Sequence, residues 1–143
     1  MIKARVAFTL IELILVVVIV VILASVGIAG YTKSREKAIT REAMYNLKLI
    51  AAAQRVYRME QGVYVNCSCS DASGCLNASS GCNALLKLSL NTNNWTYAVA
   101  GAPTAANITA TGVAISGKSC TLNSGTDGSG FDSEPACSTA TGE

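Results

Sequence analysis

The sequence predicts an α+β protein: one long amino-terminal helix, hydrophobic in its first half, packed by its second half on a small antiparallel β-sheet head. Three observations carry this. Leu13 to Leu23 are eleven consecutive Leu, Ile or Val residues, inside an apolar stretch Phe8 to Tyr31 whose only charge is Glu12. From Tyr31 to Gln61 there is no Pro or Gly, and strong helix formers dominate. After Gly62 the composition turns abruptly to Ser, Gly, Asn, Thr and Cys, with short β-prone runs between turn residues.

The apolar stretch comes first. On the membrane-insertion scale its aliphatic run is worth about −3 to −7 kcal/mol, against about 2.5–3.5 for a carboxylate at mid-bilayer and less for Glu12 near one end. The balance favours entry into a membrane, where the backbone must satisfy its own hydrogen bonds and is therefore helical despite its valines. The helix is expected to run from Phe8 to Gln61, with a membrane half over about 8–31 and an amphipathic half over 32–61. Ile39, Ala43, Leu47, Ile50 and Tyr57 recur at helical spacing as its core-facing side, and Gly62 is its stop. The head occupies 62–143. Within it Val63–Cys82 reads as a loop stapled by cysteines, and Ala84–Leu90 as a short apolar helix or turn. Trp95–Ala100, Ile108–Ser116 and Lys118–Leu122 read as strands, and 123–143 as a loop and tail.

Charge and cysteine usage narrow the function. Residues 8–61 carry seven Lys/Arg and four Glu, whereas 62–143 carry two Lys and five Asp/Glu. A mildly acidic head argues against nucleic-acid binding, which wants excess Lys and Arg. All six cysteines lie after residue 66, an even set that reads as a disulfide framework outside the cytoplasm. Lys33, Arg35, Lys37 and Arg41 after the apolar run, against Lys3 and Arg5 before it, would by the positive-inside rule alone put the head in the cytoplasm. The cysteines outweigh that bias.

The leader Met1-Ile2-Lys3-Ala4-Arg5-Val6-Ala7, followed by Phe8-Thr9-Leu10-Ile11-Glu12-Leu13 and the apolar run, resembles the amino terminus of type IV pilins and type II secretion pseudopilins. The likeness covers residues 1–61. It implies that residues 1–7 are a prepilin leader, that a prepilin peptidase cuts between Ala7 and Phe8, and that the new amine is methylated. It further implies a structural subunit, held in the inner membrane with its head outside, then built into a filament of copies of itself or of other pilins by an assembly ATPase and a platform protein. Ala7 stands where the family usually has Gly, and Val21 and Ala29 stand where many pilins have a helix-breaking Gly and Pro. By the same resemblance Glu12 partners the Phe8 amine of a neighbouring subunit. Two opposite charges in hydrocarbon attract strongly, while either alone is costly to bury.

The cysteines allow fifteen pairings. An extended chain is expected to point Cys67 and Cys69 to opposite faces, so that they bond not to each other but to Cys75 and Cys82, in an order left open. Cys120 and Cys137 remain, and would close a carboxyl-terminal loop like the one in many pilins. A zinc site lacks the paired Cys-x2-Cys spacing, and the chain has no His. Asp127, Asp132 and Glu134 are weak calcium candidates, since major type II pseudopilins hold calcium in such a loop. The bland reading is a solvated acidic loop, and no other cofactor is expected. Four Asn-x-Ser/Thr triplets begin at Asn66, Asn77, Asn94 and Asn107, as an Asn/Ser/Thr-rich chain produces by chance. Without His there is no Ser–His or Cys–His pair, and no phosphate loop is present, so an enzyme is not expected. Two other classes stay open: a secreted disulfide-rich binding domain released at Gly27-Ile28-Ala29, and a monomeric membrane-anchored domain.

Overall fold

The computed structural model describes residues 8–101, 105–124, 130–131 and 133–138, with the backbone alone over 26–29. The expected α+β class is observed: one long helix and a five-stranded antiparallel sheet. Helix α1 (Leu10–Gln61) begins two residues later than the sequence suggested. Thr9 is the reason. Its Oγ1 accepts from the Glu12 amide at 3.4 Å and its carbonyl from the Leu13 amide at 3.3 Å, the pattern of a residue just outside the first turn. At the other end Gly62 takes φ +79°, a left-handed conformation open to glycine at no side-chain cost, and its amide closes on the Arg58 carbonyl at 2.8 Å.

The chain divides into two compact units, residues 1–37 and 38–143. In the first, every described residue is exposed. In the second, α1 supplies Ile39, Ala43, Leu47, Ile50 and Ala51 to a core shared with the sheet. Tyr57, expected in that row, is only half-buried, and the row passes instead through Gln54, which is fully buried.

The sheet runs in chain order as a meander: β1 (Cys67–Cys69), β2 (Trp95–Gly101), β3 (Ala106–Gly112), β4 (Ser119–Asn123) and β5 (Ala136–Cys137). Strict two-residue alternation sends Trp95, Tyr97 and Val99 of β2 inward, then Ala106, Ile108 and Ala110 of β3, then Cys120 and Leu122 of β4. Register stacks Tyr97 on Ala110 and Val99 on Ile108 in one pair of strands, and Ala110 on Cys120 and Ile108 on Leu122 in the next. Val99, Ile108 and Leu122 thus form one aliphatic row across the inner surface, and Ala110 leaves room for the Tyr97 ring beside it. Trp95, fully buried, anchors the helix to the sheet through its indole N–H, which donates to the Ile39 carbonyl at 2.8 Å.

Three element expectations need correction. β3 ends at Gly112 rather than Ser116, because the chain turns there. The Gly112 amide bonds the Lys118 carbonyl at 2.8 Å, and a Cβ on Gly112 would lie 2.4 Å from the Ile115 carbonyl oxygen. The segment Val63–Cys82 is not all loop. It holds β1, which pairs with β2, and the short helix α2 (Ala72–Cys75), capped by the Asp71 side chain on the Gly74 amide. The tail contains β5, opposite Cys120 and Thr121 of β4. The apolar piece after Gly81 is a short helix, α3 (Cys82–Leu86), that ends on Lys87 in the left-handed region at φ 55°.

Candidate functional site

The first candidate is the beginning of α1. Phe8 is 73% exposed, and the large apolar residues from Leu10 to Leu23 are between 49% and 76% exposed. An apolar surface that wide, all round a helix, marks a lipid-facing or protein-facing segment rather than a solvated one. Glu12 sits in its first turn, where a carboxylate complements the positive end of the helix dipole by about 0.3–1 kcal/mol. The Thr9 cap uses the Glu12 backbone rather than its carboxylate, so the side chain is not consumed by capping. Among the described residues no single helix is long and apolar enough to cross a membrane, and Leu10–Ser25 and Gly30–Gln61 meet that measure only together. Ala7 lies outside the described residues.

In the head, the three disulfides are Cys67–Cys82, Cys69–Cys75 and Cys120–Cys137. The expectation that Cys67 and Cys69 point to opposite faces is wrong. Residues two apart on a strand share a face, and both are buried while Ser68 between them is exposed. They reach different partners because α2 and α3 arrive at different ends of that face. Cys120 and Cys137 are direct cross-strand partners in β4 and β5.

The tail is held against α1 by polar and aromatic contacts that sequence reasoning missed. Lys48 pairs with Glu134 at 2.8 Å, an exposed ion pair. The Arg55 guanidinium donates to the Phe131 carbonyl, the Phe131 ring packs edge-on against Tyr64 at 5.6 Å, and Arg58 lies over the Tyr64 ring at 4.9 Å. Glu134 is therefore engaged by a lysine, while Asp127 and Asp132 lie outside the described residues. No group of three His, Cys, Asp or Glu able to hold a metal occurs among the described residues.

Gln54 is the polar centre of this unit. Its amide nitrogen donates to the Val65 carbonyl at 2.8 Å, and its oxygen accepts from the Val65 amide at 3.0 Å. The side chain thus pairs with the backbone as a neighbouring strand would, and ties the chain leaving the helix back onto it. The only sequence signal was a Gln four residues after Ile50 in the buried row. Nearby, burial raises the Tyr97 phenol above its ordinary 10; the Asn46 amide that donates to it at 2.7 Å opposes the shift, and the charge of Glu42 adds to it.

The four Asn-x-Ser/Thr triplets are used internally. Asn66 accepts from the Gly101 amide, Asn77 from the Ser79 amide at 3.0 Å and Asn107 from Thr109 at 3.3 Å, while Asn94 donates to Glu42 at 2.7 Å. With all six cysteines oxidised, the described side chains offer no thiolate nucleophile. Among the described residues the features that stand out are an exposed apolar helix and a disulfide-stapled head. Searches against protein families, curated proteins and solved structures return no match.

Proposed function

We propose that this chain is a structural subunit of a type IV pilus or type II secretion pseudopilus. It is held in the inner membrane by its apolar helix and built into a filament after removal of residues 1–7. The observation that carries the reading is the placing of Glu12. It is the lone charge of the apolar stretch, in the first turn of a helix whose aliphatic side chains have no cover within their own unit. A carboxylate there is costly in lipid and has use only with a cationic partner, which the amine of Phe8 on a neighbouring copy supplies. The disulfide-bonded head is consistent with an oxidising compartment.

The test is the intact mass and amino-terminal sequence of the protein from its native membrane. A start at N-methylated Phe8 is the expected result. A start at Gly30 would make the protein a secreted module, and an intact Met1 a plain anchored domain; either overturns the proposal. Glu12→Ala adds a functional readout. The Thr9 cap survives, since it uses the backbone amide, so the helix and membrane insertion should be retained while filament incorporation falls. Equal filament yield from variant and wild type would remove the role assigned to the carboxylate.

A further inference from the structure

The apolar half of α1 ends in a belt of charge. Tyr31 is 70% exposed, and Lys33, Arg35, Glu36 and Lys37 follow it on the same helix, all exposed. All five belong to the unit formed by residues 1–37. The three cations have no hydrogen bond or ion pair among the described residues, whereas Glu36 is engaged. At about 100° per residue, Lys33 and Lys37 share one side of the helix, and Tyr31 and Arg35 stand on the opposite side. Lys33, Arg35 and Lys37 against Glu36 leave the belt with a net positive charge.

We infer that this belt binds the phosphates of anionic phospholipids, in the leaflet where α1 leaves the bilayer. The inference rests on the membrane-anchored part of the proposed function. Position supports it first. Lys33 follows Glu12 by 21 residues, about 32 Å of helix, close to the roughly 30 Å of a hydrocarbon core. With Glu12 at one headgroup level, the belt lies at the other. Tyr31, just before the cations, is the kind of amphipathic ring that settles at such a boundary. The arrangement around the helix supports it next. A protein partner meets a helix on one side, whereas lipid surrounds it, and Lys33 and Arg35 on opposite sides call for an occupant all round. Chemistry then selects the lipid. Lysine and arginine lay their stems along apolar surface and donate from their charged ends to phosphate oxygens. A zwitterionic headgroup carries its own cation, so the excess positive charge of the belt favours headgroups of net negative charge. Bound in this way, the belt fixes the depth of the subunit until it leaves the membrane.

The test reconstitutes the full-length chain in phosphatidylcholine vesicles that carry a trace of spin-labelled phosphatidylglycerol or spin-labelled phosphatidylcholine. The label immobilised by the protein should favour phosphatidylglycerol by about fivefold, the factor that one lysine or arginine contributes beside an anionic leaflet. Replacing the three cations together, Lys33→Gln, Arg35→Gln and Lys37→Gln, should remove most of that preference although Lys3 and Arg5 remain at the other end, while the buried Trp95 keeps its fluorescence. Equal immobilisation of the two labels by an inserted wild-type chain, or an unchanged preference in the triple variant, would overturn the lipid site and leave the pilin reading standing. Loss of the preference to inorganic phosphate at matched ionic strength would overturn it by assigning the cations to soluble anions. A chain that fails to float with the vesicles would overturn both the lipid site and the membrane anchoring it rests on.

Discussion

Gln54 offers the sharpest test of how this head is held together. Replacing it with Ala removes two neutral hydrogen bonds to Val65, worth about 1 kcal/mol each. The same loss, seen from Val65, leaves its N–H and C=O without those partners and is counted once. Val65 is half-buried, so water reaches these groups in part and the penalty falls near the low end of about 1–3 kcal/mol per group. Gln54 itself is fully buried, and the removed atoms leave a gap in the row between Ile50 and the end of the helix. The sum is about 3–4 kcal/mol. At a urea dependence of about 1.5 kcal/mol/M the unfolding midpoint should drop by about 2 M. The chain has a single tryptophan, and Trp95 is fully buried, so its fluorescence reports the head alone. Gln54→Glu sharpens the test. A carboxylate there still accepts from the Val65 amide but faces the Val65 carbonyl and is buried, so its pKa in the folded state rises above the unfolded value of about 4.3. A folded state that holds the proton more tightly is favoured by acid. The variant should therefore be most stable below about pH 4 and lose stability as pH rises through the folded pKa. A loss under about 1 kcal/mol for Gln54→Ala, or a Glu variant insensitive to pH, would refute the claim that this side chain substitutes for a strand.

Other outcomes follow from the same geometry. The Cys120–Cys137 bridge closes a separation of 17 residues and Cys69–Cys75 one of 6, so in the chain-entropy model they contribute about 3.2 and 2.4 kcal/mol. Double serine replacement of the first pair should lower the urea midpoint more than replacement of the second. The Asp71 carboxyl is held below its usual 3.8 chiefly by the Ser73 hydroxyl and then by the Gly74 amide. Its capping of α2 is therefore fully present above pH 3.8 and lost only as pH falls through the lower folded value, which the Gly74 amide resonance should follow in a pH titration. Gly81→Ala places a Cβ 2.2 Å from the Cys75 carbonyl oxygen, against backbone that two disulfides immobilise. The variant should be destabilised by at least about 2 kcal/mol and accumulate free thiols on thiol labelling; wild-type stability would show that the turn relaxes.

Much of the fold was legible in the chain. Four of the five positions expected on the core side of α1 are buried, because the 3.6-residue period is a local property that needs no partner to be read. The central strands β2, β3 and β4 announced themselves by β-branched and aromatic residues between turn signals. β1 and β5 did not, having three and two residues of Cys, Ser and Ala; they are strands only because a neighbour supplies their hydrogen bonds. Gly112 shortened β3 for the same kind of reason, since the close approach of Ile115 is a contact across a turn.

The sequence by itself determined that a long helix begins beside a lone carboxylate and that Leu13 to Leu23 after it are apolar without interruption. It also determined that the six cysteines belong to the head. These are matters of composition and period along the chain. Only the tertiary structure decided which cysteines meet and that Gln54, rather than Tyr57, completes the buried row. It alone decided that Glu134 faces Lys48, and that Tyr45, Val56 and Met59 of α1 stay exposed. Each of these depends on which surfaces lie opposite one another, and burial, pairing and exposure exist only once the chain has folded back upon itself.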